Sequence, residues 1–346
     1  MMKTISIVSP SYNEIDNIHV CHAEVKALFE RELPTYRREH IFSDNDSTDG
    51  TVEALRQIAA EDPAVKVILN ARNFGPFRSM FNALRYATGD AVVVFLPVDL
   101  QDPPELIPEF VRLWESGVEI VAGARVQRRE SALLRATRFC FYRLVNGLSD
   151  IYIPPDVGEF QLIDRKVWQA VVSRNDHYPY LRGMIASVGF RRVIVPYAWR
   201  ARERGISKNN FLALVDQAMN GIFAFTVAPL RACTFLGFGL AILCLLYAGI
   251  AVLAYLINPS MAPRGITTII VALLFLSGVQ LFFLGMLGEY VTAIHAQVRS
   301  GANIVVERER INIDTKATHV VASRIDAAAP RTDAAAPRID ATAPSA

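Results

Sequence analysis

The chain is poor in cysteine. Only Cys21, Cys140, Cys233 and Cys244 occur, and no two share a paired spacing. That excludes a disulfide framework or a zinc site read from spacing, and leaves four ordinary thiols in a reducing compartment. Net charge is also scarce, +2 over 346 residues, and says little by itself about partners; no nucleic-acid partner is expected. No secretory leader is expected either, because the first residues run straight into a strand-like Thr4–Val8. Two long stretches lack charge altogether, Ala232–Ile257 and Gly265–Gly288. Each exceeds the roughly 20 residues that cross a bilayer core. They account for a hydrophobic fraction of 52% and a mean hydropathy of +0.25. The expectation is a transmembrane hairpin, spans about 232–257 and 265–288, with everything before it cytoplasmic. Arg231, Arg299, Arg308 and Arg310 flank the hairpin and only Arg264 lies in its link, which puts both ends on the cytoplasmic side of a multi-pass inner-membrane protein.

What is present ahead of the hairpin is alternation. Strand signals at Thr4–Val8, His40–Ser43, Val65–Leu69, Ala91–Leu96 and Glu119–Ala122 are separated by helical patterns at Glu14–Leu33, Thr51–Ala60, Ser79–Ala87 and Pro104–Ser116. This predicts an α/β domain with a doubly wound, mostly parallel sheet. Residues 131–150 carry Arg135, Arg138 and Arg143 among aromatic and aliphatic side chains, and Phe211–Phe225 is a second apolar-faced segment. The first reads as an interface helix on the membrane surface, or as a core helix with a basic edge, and the second as an interface helix leading towards the first span. The expected layout is a cytoplasmic domain over 1–228, the hairpin over 229–292, a cytoplasmic segment over 293–313 and a tail over 314–346. That tail repeats one heptad three times, from Arg324, Arg331 and Arg338, each copy ending in proline. It cannot form a coiled coil and has little to bury.

The residues with chemistry sit where strands end. The apolar run from Ala91 stops in Asp99, Gln101 and Asp102 before two prolines. Carboxylate and amide oxygens at the carboxyl end of a buried strand suit Mg²⁺ or Mn²⁺ and, through it, a diphosphate. A plain polar loop is the alternative. Ser9-Pro10-Ser11-Tyr12-Asn13-Glu14 makes a polar turn before a helix, a place to hold a nucleotide, although many strand–helix turns look alike. Asp44, Asp46 and Asp49 crowd one short loop. Capping of the next helix accounts for Asp49 and for Ser47, but not for Asp44, which suits a base or ribose. Arg72-Asn73-Phe74-Gly75 offers a guanidinium for phosphate, or simply a surface arginine. Glu159 lies between Gly158 and Phe160, placed to act as a base or to position an acceptor. Arg200, Arg202, Arg204 and Lys208 gather in nine residues, a cluster for phosphates or anionic headgroups.

In order, these segments resemble glycosyltransferase family 2, in its membrane-anchored polyprenyl-phosphate sugar transferases, the group of dolichol-phosphate mannose synthases and bactoprenol glucosyl transferases. Gly-Ile-Ser-Lys at 205–208 and Gly-Glu-Tyr at 288–290 complete the set, which runs from about Lys3 to Arg310. The resemblance implies a GT-A type fold, a nucleotide-sugar donor, a divalent metal (Mg²⁺ or Mn²⁺), inverting transfer to a polyprenyl phosphate at the lipid bilayer, and a homo-oligomer. It implies Pro10, Tyr12, Asn13, Glu14, Asp44, Asp46, Arg72 and Asn73 around the donor, with Asp99 and Gln101 on the metal. Glu159 would stand at the acceptor phosphate as a catalytic residue with Asp99, and Arg202, Ser207 and Lys208 would bind phosphates. Among donors, UDP-glucose leads, with N-acetylhexosamine, mannose and aminoarabinose behind it. Three positions depart from the family pattern: Asn45 and Pro97 stand where an acid is usual, and Glu159 where Asp is common. The Gln-x-x-Arg-Trp motif of polysaccharide synthases is absent. A decayed, non-catalytic scaffold remains the rival from another class.

Overall fold

The computed structural model describes residues 2–125, 156–174, 176, 179–200, 228–257, 266–299 and 305–313. Strands β1 (Thr4–Ser11), β2 (Arg37–Asp44), β3 (Val65–Asn70) and β4 (Ala91–Val93) alternate with helices α1 (Ile15–Glu32), α2 (Thr51–Glu61) and α3 (Pro76–Leu84). A short 3-10 turn, Pro104–Leu106, then leads into α4 (Ile107–Glu115) and β5 (Ile120–Arg125). Next come β6 (Val157–Asp164), α5 (Arg165–Val172), α6 (Leu181–Ser187) and β7 (Arg192–Tyr197). Two long helices, α7 (Ala228–Ile257) and α8 (Ile266–Arg299), precede a last strand, β8 (Glu307–Ile311).

Among the described residues the strands form one sheet in the order β7-β5-β6-β4-β1-β2-β3-β8. Pairs β1–β2, β1–β4, β2–β3 and β5–β7 are parallel; β3–β8, β4–β6 and β5–β6 are antiparallel. The expected α/β class is present, and the mixed sheet is its refinement. Strands β3 and β4 bury both faces, hence their near-continuous apolar runs, whereas α4 buries only Ile107, Phe110, Val111 and Trp114, one helical stripe. Phe110 meets Phe160 of β6 at 5.1 Å between ring centres, so α4 seals the core under the middle of the sheet.

Two elements differ from the sequence pattern. The Ala91–Leu96 run holds a regular ladder only to Val93. The chain stays extended beyond it, with Val94 N donating to Gln161 O (2.9 Å) and Leu96 N to Val8 O (2.9 Å), until Pro97 removes the next donor. Strand β8 carried no recognisable period, because Glu307, Arg308, Glu309 and Arg310 are all charged. It is nonetheless laddered to β3, at the edge where charge is tolerated.

Helix α7 contains the first uncharged stretch and α8 the second from Ile266 onward, running past its span to Arg299. Among the described residues one stretch, Phe275–Thr292, is long and apolar enough to cross a membrane by length and composition. Leu236, Leu246, Leu253, Phe275, Phe282 and Leu284 are exposed, the reverse of a soluble core helix. The amphipathic segments 131–150 and 211–225 and the repeat tail lie outside the described residues.

Candidate active site

Three loops at the carboxyl ends of β1, β2 and β3 are stitched into one unit. Asp44, the last residue of β2, is fully buried and accepts from Ser47 N (2.9 Å), Ser47 Oγ (2.6 Å) and Ser11 Oγ (3.0 Å). Burial pushes its carboxyl above the ordinary value, and those three donors only partly offset the push. Asn13, at φ 52°, donates its N–H to Ser47 Oγ (2.8 Å) and accepts from Thr48 N (2.8 Å). Asp49 accepts from Ile15 N (3.2 Å), Thr51 N (3.1 Å) and Thr51 Oγ1 (2.5 Å). Burial alone would raise its carboxyl; these hydrogen bonds outweigh that and leave it below the ordinary value. Gly50, at φ 92°, makes the left-handed turn that a side chain would strain, and α2 starts at once.

Asn45 is buried, and its Oδ1 accepts from Asn70 Nδ2 (3.1 Å) and Phe74 N (3.4 Å). The amide therefore ties β2 to the Arg72–Gly75 turn, within a polar cluster with Ser43 and Ser79. Asn73 Oδ1 accepts from Gly75 N (2.8 Å), closing that turn, and the Arg72 guanidinium lies 4.1 Å from the centre of the Phe74 ring. Of the other residues implied at the donor, Pro10 is buried as the penultimate residue of β1 and Tyr12 is half-buried. Glu14 is the residue at the start of α1: its carbonyl accepts from Ile18 N (3.1 Å) and its carboxylate from Asn17 Nδ2 (2.6 Å). Asp46 is half-exposed and pairs with Arg308 of β8 (3.2 Å).

The fourth loop divides its acids. Leu100 N donates to Pro97 O (2.9 Å), a tight turn that puts Leu100 at φ 52° between Asp99 and Gln101. Such a φ is costly for a leucine, of order 1–3 kcal/mol, and loops keep it where a neighbouring group must be aimed. Asp99 is half-buried and accepts from Gln101 N at 3.4 Å. Asp102 is fully buried and accepts from Arg125 Nε (3.0 Å), Arg125 Nη2 (2.7 Å) and the Tyr197 hydroxyl. Burial pulls the Arg125 guanidinium down, but the Asp102 charge beside it wins and raises it; burial and Asp102 raise the Tyr197 hydroxyl. Gly123 makes room, since a Cβ there would lie 2.8 Å from Tyr197 Cε1 and 3.0 Å from Phe160 O. Glu105 meets Arg200 at 3.2 Å, and Arg200 N donates to Gln101 O (3.1 Å). Asp102, grouped in the sequence with the oxygen donors, is thus consumed by structure.

Glu159 lies on β6. The β4–β6 register pairs Val93 with Leu162, and carried onward through the Val94–Gln161 hydrogen bond it sets Glu159 level with Leu96, at the end of the sheet where Asp99 follows. Glu159 is 8% exposed and accepts from Arg182 Nε of α6 (2.8 Å). The Arg182 guanidinium also lies 5.1 Å from the centre of the Tyr180 ring. Arg202, Ser207 and Lys208 lie outside the described residues, as does the rest of the basic cluster beyond Arg200.

Among the described residues no three His, Cys, Asp or Glu side chains form a ready-made metal cage. Asp99 and Gln101 provide one carboxylate and one amide oxygen. That donor set fits Mg²⁺ or Mn²⁺ shared with substrate phosphates, which needs only one or two protein carboxylates. The sequence reading missed Arg182, Arg125 and Tyr197. Arg125 had a signal, a lone charge ending the apolar strand Ile120–Ala124; Arg182 had none, because α6 is joined to β6 only in space.

Comparison with known proteins adds the following. Residues 6–171 match the model of glycosyl transferase family 2, and residues 228–294 match that of the GtrB C-terminal hairpin. The chain is 34% identical over 307 residues to the bactoprenol glucosyl transferase of Shigella phage SfII, covering 88% of this chain and 97% of that one. It is also 34% identical over 304 residues to the uncharacterized glycosyltransferase YkcC of Bacillus subtilis, covering 88% and 93%. Among solved structures, a mannosyltransferase from Pyrobaculum calidifontis in complex with GDP-Man and Mn²⁺ is similar at 18% identity and a TM-score of 0.43, covering 86% and 87%.

Proposed function

This chain belongs to glycosyl transferase family 2 and is a glycosyltransferase, and we propose that it moves a sugar from a nucleotide-sugar donor to a polyprenyl phosphate at the cytoplasmic face of a membrane. The observation that carries the reading is the near full-length similarity to a bactoprenol glucosyl transferase, hairpin included. UDP-glucose is the leading donor on the same ground. The product is a lipid-linked sugar monophosphate, a precursor for modifying cell-envelope glycans.

The chemistry asks little of a base. A phosphate monoester has a second pKa of about 6, so the acceptor is already largely dianionic at neutral pH. One of its oxygens attacks the anomeric carbon as the bond from that carbon to the diphosphate breaks on the opposite face. The configuration inverts, and the electron pair leaves with the nucleoside diphosphate. Asp44, held by three donors, accepts from the base or ribose, and the loops around Asn13 and Asn73 wall the donor. Asp99 and Gln101 would hold the divalent cation, which when bound would offset charge on the leaving diphosphate. Glu159 orients Arg182 towards the acceptor phosphate rather than removing a proton. Arg202, Ser207 and Lys208 would add cationic and hydroxyl groups for the phosphates.

Asn45 and Pro97 have structural work of their own, in the Asn70–Phe74 tie and the Leu100 turn, which counts against decay of the site. The pairing of β8 with β3 puts residues before and after the hairpin in one sheet, which supports placing both on the same side of the membrane. The hairpin holds the domain at the bilayer, where a polyprenyl chain cannot leave its lipid. The test is a panel of radiolabelled nucleotide sugars given to the full chain in vesicles with polyprenyl phosphate. Label from UDP-glucose is expected in butanol-extractable lipid; no transfer from any donor would overturn the reading.

A further inference from the structure

The charged strand that follows the hairpin is not an inert tether. Its ladder with β3 is fastened at five further points. Glu307 accepts from Asn82 Nδ2 (2.5 Å) and the Tyr86 hydroxyl (3.0 Å) of the α3 region. Glu309 pairs with Arg56 of α2 (2.6 Å). Asn312 Nδ2 donates to Ala59 O (2.7 Å) and Val65 O (2.9 Å). Arg310 lies 4.9 Å from the centre of the Tyr86 ring. Ala71 N donates to Val306 O (2.8 Å), carrying the pairing past β3 towards Arg72. The strand is therefore fixed against the two helices that leave the donor loops.

From that fixed strand Arg308 reaches the Asp46 carboxylate at 3.2 Å. Asp46 stands at φ 64°, between Asp44 and Ser47, the residue that supplies two of the three donors to Asp44. A left-handed aspartate in a short loop is a conformation that an outside contact helps to keep. We infer that Arg308 is a positioning residue for the donor nucleotide: reaching from the strand that returns from the membrane, it holds Asp46 so that the 44–51 loop presents Asp44 to the base or ribose. The site for the donor is then completed only when the hairpin has brought its C-terminal end back to the sheet. A chain cut before Glu307 keeps Asp44, Asp99 and Glu159 yet lacks this brace. The inference rests on the reading of Asp44 as a nucleotide contact.

The experiment uses the full chain in lipid nanodiscs, with UDP binding by calorimetry and transfer kinetics side by side. Arg308→Gln should weaken UDP about three- to fivefold, the scale of a half-exposed ion pair. It should raise the KM for the donor by the same factor, and leave the KM for polyprenyl phosphate and the thermal midpoint unchanged. Asp46→Asn should do the same, and the double variant should be no worse than either single one, because one contact is being removed. Arg308→Lys should recover most of the loss. Unchanged UDP affinity in Arg308→Gln, or equal rises in both KM values, would overturn the inference. If wild type itself bound no nucleotide, the functional reading would fall instead.

Discussion

The loop after β2 and the loop after β4 invite comparison, because each ends a buried strand and each carries three acids. Asp44, Asp46 and Asp49 lie in one, Asp99, Asp102 and Glu105 in the other. In both, the two later acids answer groups of the protein itself. Asp46 meets Arg308 and Asp49 meets Thr51 and Ile15, while Asp102 meets Arg125 and Tyr197 and Glu105 meets Arg200. The first acid of each is the one we propose for the donor and the metal, and the two differ in state. Asp44 is buried and held by three donors, a fixed acceptor; Asp99 is half-buried on a strained turn, suited to a cation that arrives with its substrate. Acid count in a motif therefore says little about ligand number. Burial and partners decide it.

The sharpest break in that comparison is Asp99 against Asp102. Asp99→Ala should cut transfer by about 10³-fold, the order of the several kcal/mol that charge neutralisation supplies, with an unchanged thermal midpoint. Asp102→Asn should do the reverse. It strands the Arg125 charge, 21% exposed, and should cost about 3 kcal/mol of stability, read by chemical denaturation, while folded protein keeps most of its activity. A smaller effect is expected at Glu159→Gln. An orienting role predicts a loss below the roughly 10²–10⁴ of a general base, with no change in the pH profile of kcat. The smallest concerns Asp44. Its carboxyl is raised by burial, so the ionised acceptor is lost earlier on acidification than an ordinary aspartate would be. UDP affinity should fall as pH drops through a midpoint raised above that of an ordinary aspartate, and Asp44→Asn should flatten that dependence.

Much of this was legible in the chain. Continuous apolar strands and the alternating helices pointed to the α/β sheet, polar strand endings drew attention to Asp44 and Asp99, and a carboxylate between Gly158 and Phe160 drew it to Glu159. Local pattern did not reveal β8, whose charged residues follow no strand period and whose place is set by β3 and by Glu307 bonded to Asn82 and Tyr86. Nor did it distinguish Asp99 from Asp102, because what separates them is an arginine and a tyrosine brought from β5 and β7. In space Asp46 also pairs with Arg308 of β8 and Glu14 also stands at the start of α1, neither of which a linear motif shows. Spatial partners, not residue types, carried the missing information.

The division between the two carboxylates is tested most directly by manganese binding. Free Mn²⁺ can be followed by electron paramagnetic resonance as the full chain is titrated with the metal in the presence of UDP. One UDP-dependent Mn²⁺ is predicted for wild type and for folded Asp102→Asn, and none for Asp99→Ala. Retention of that ion by Asp99→Ala, or its loss from folded Asp102→Asn, would contradict the account.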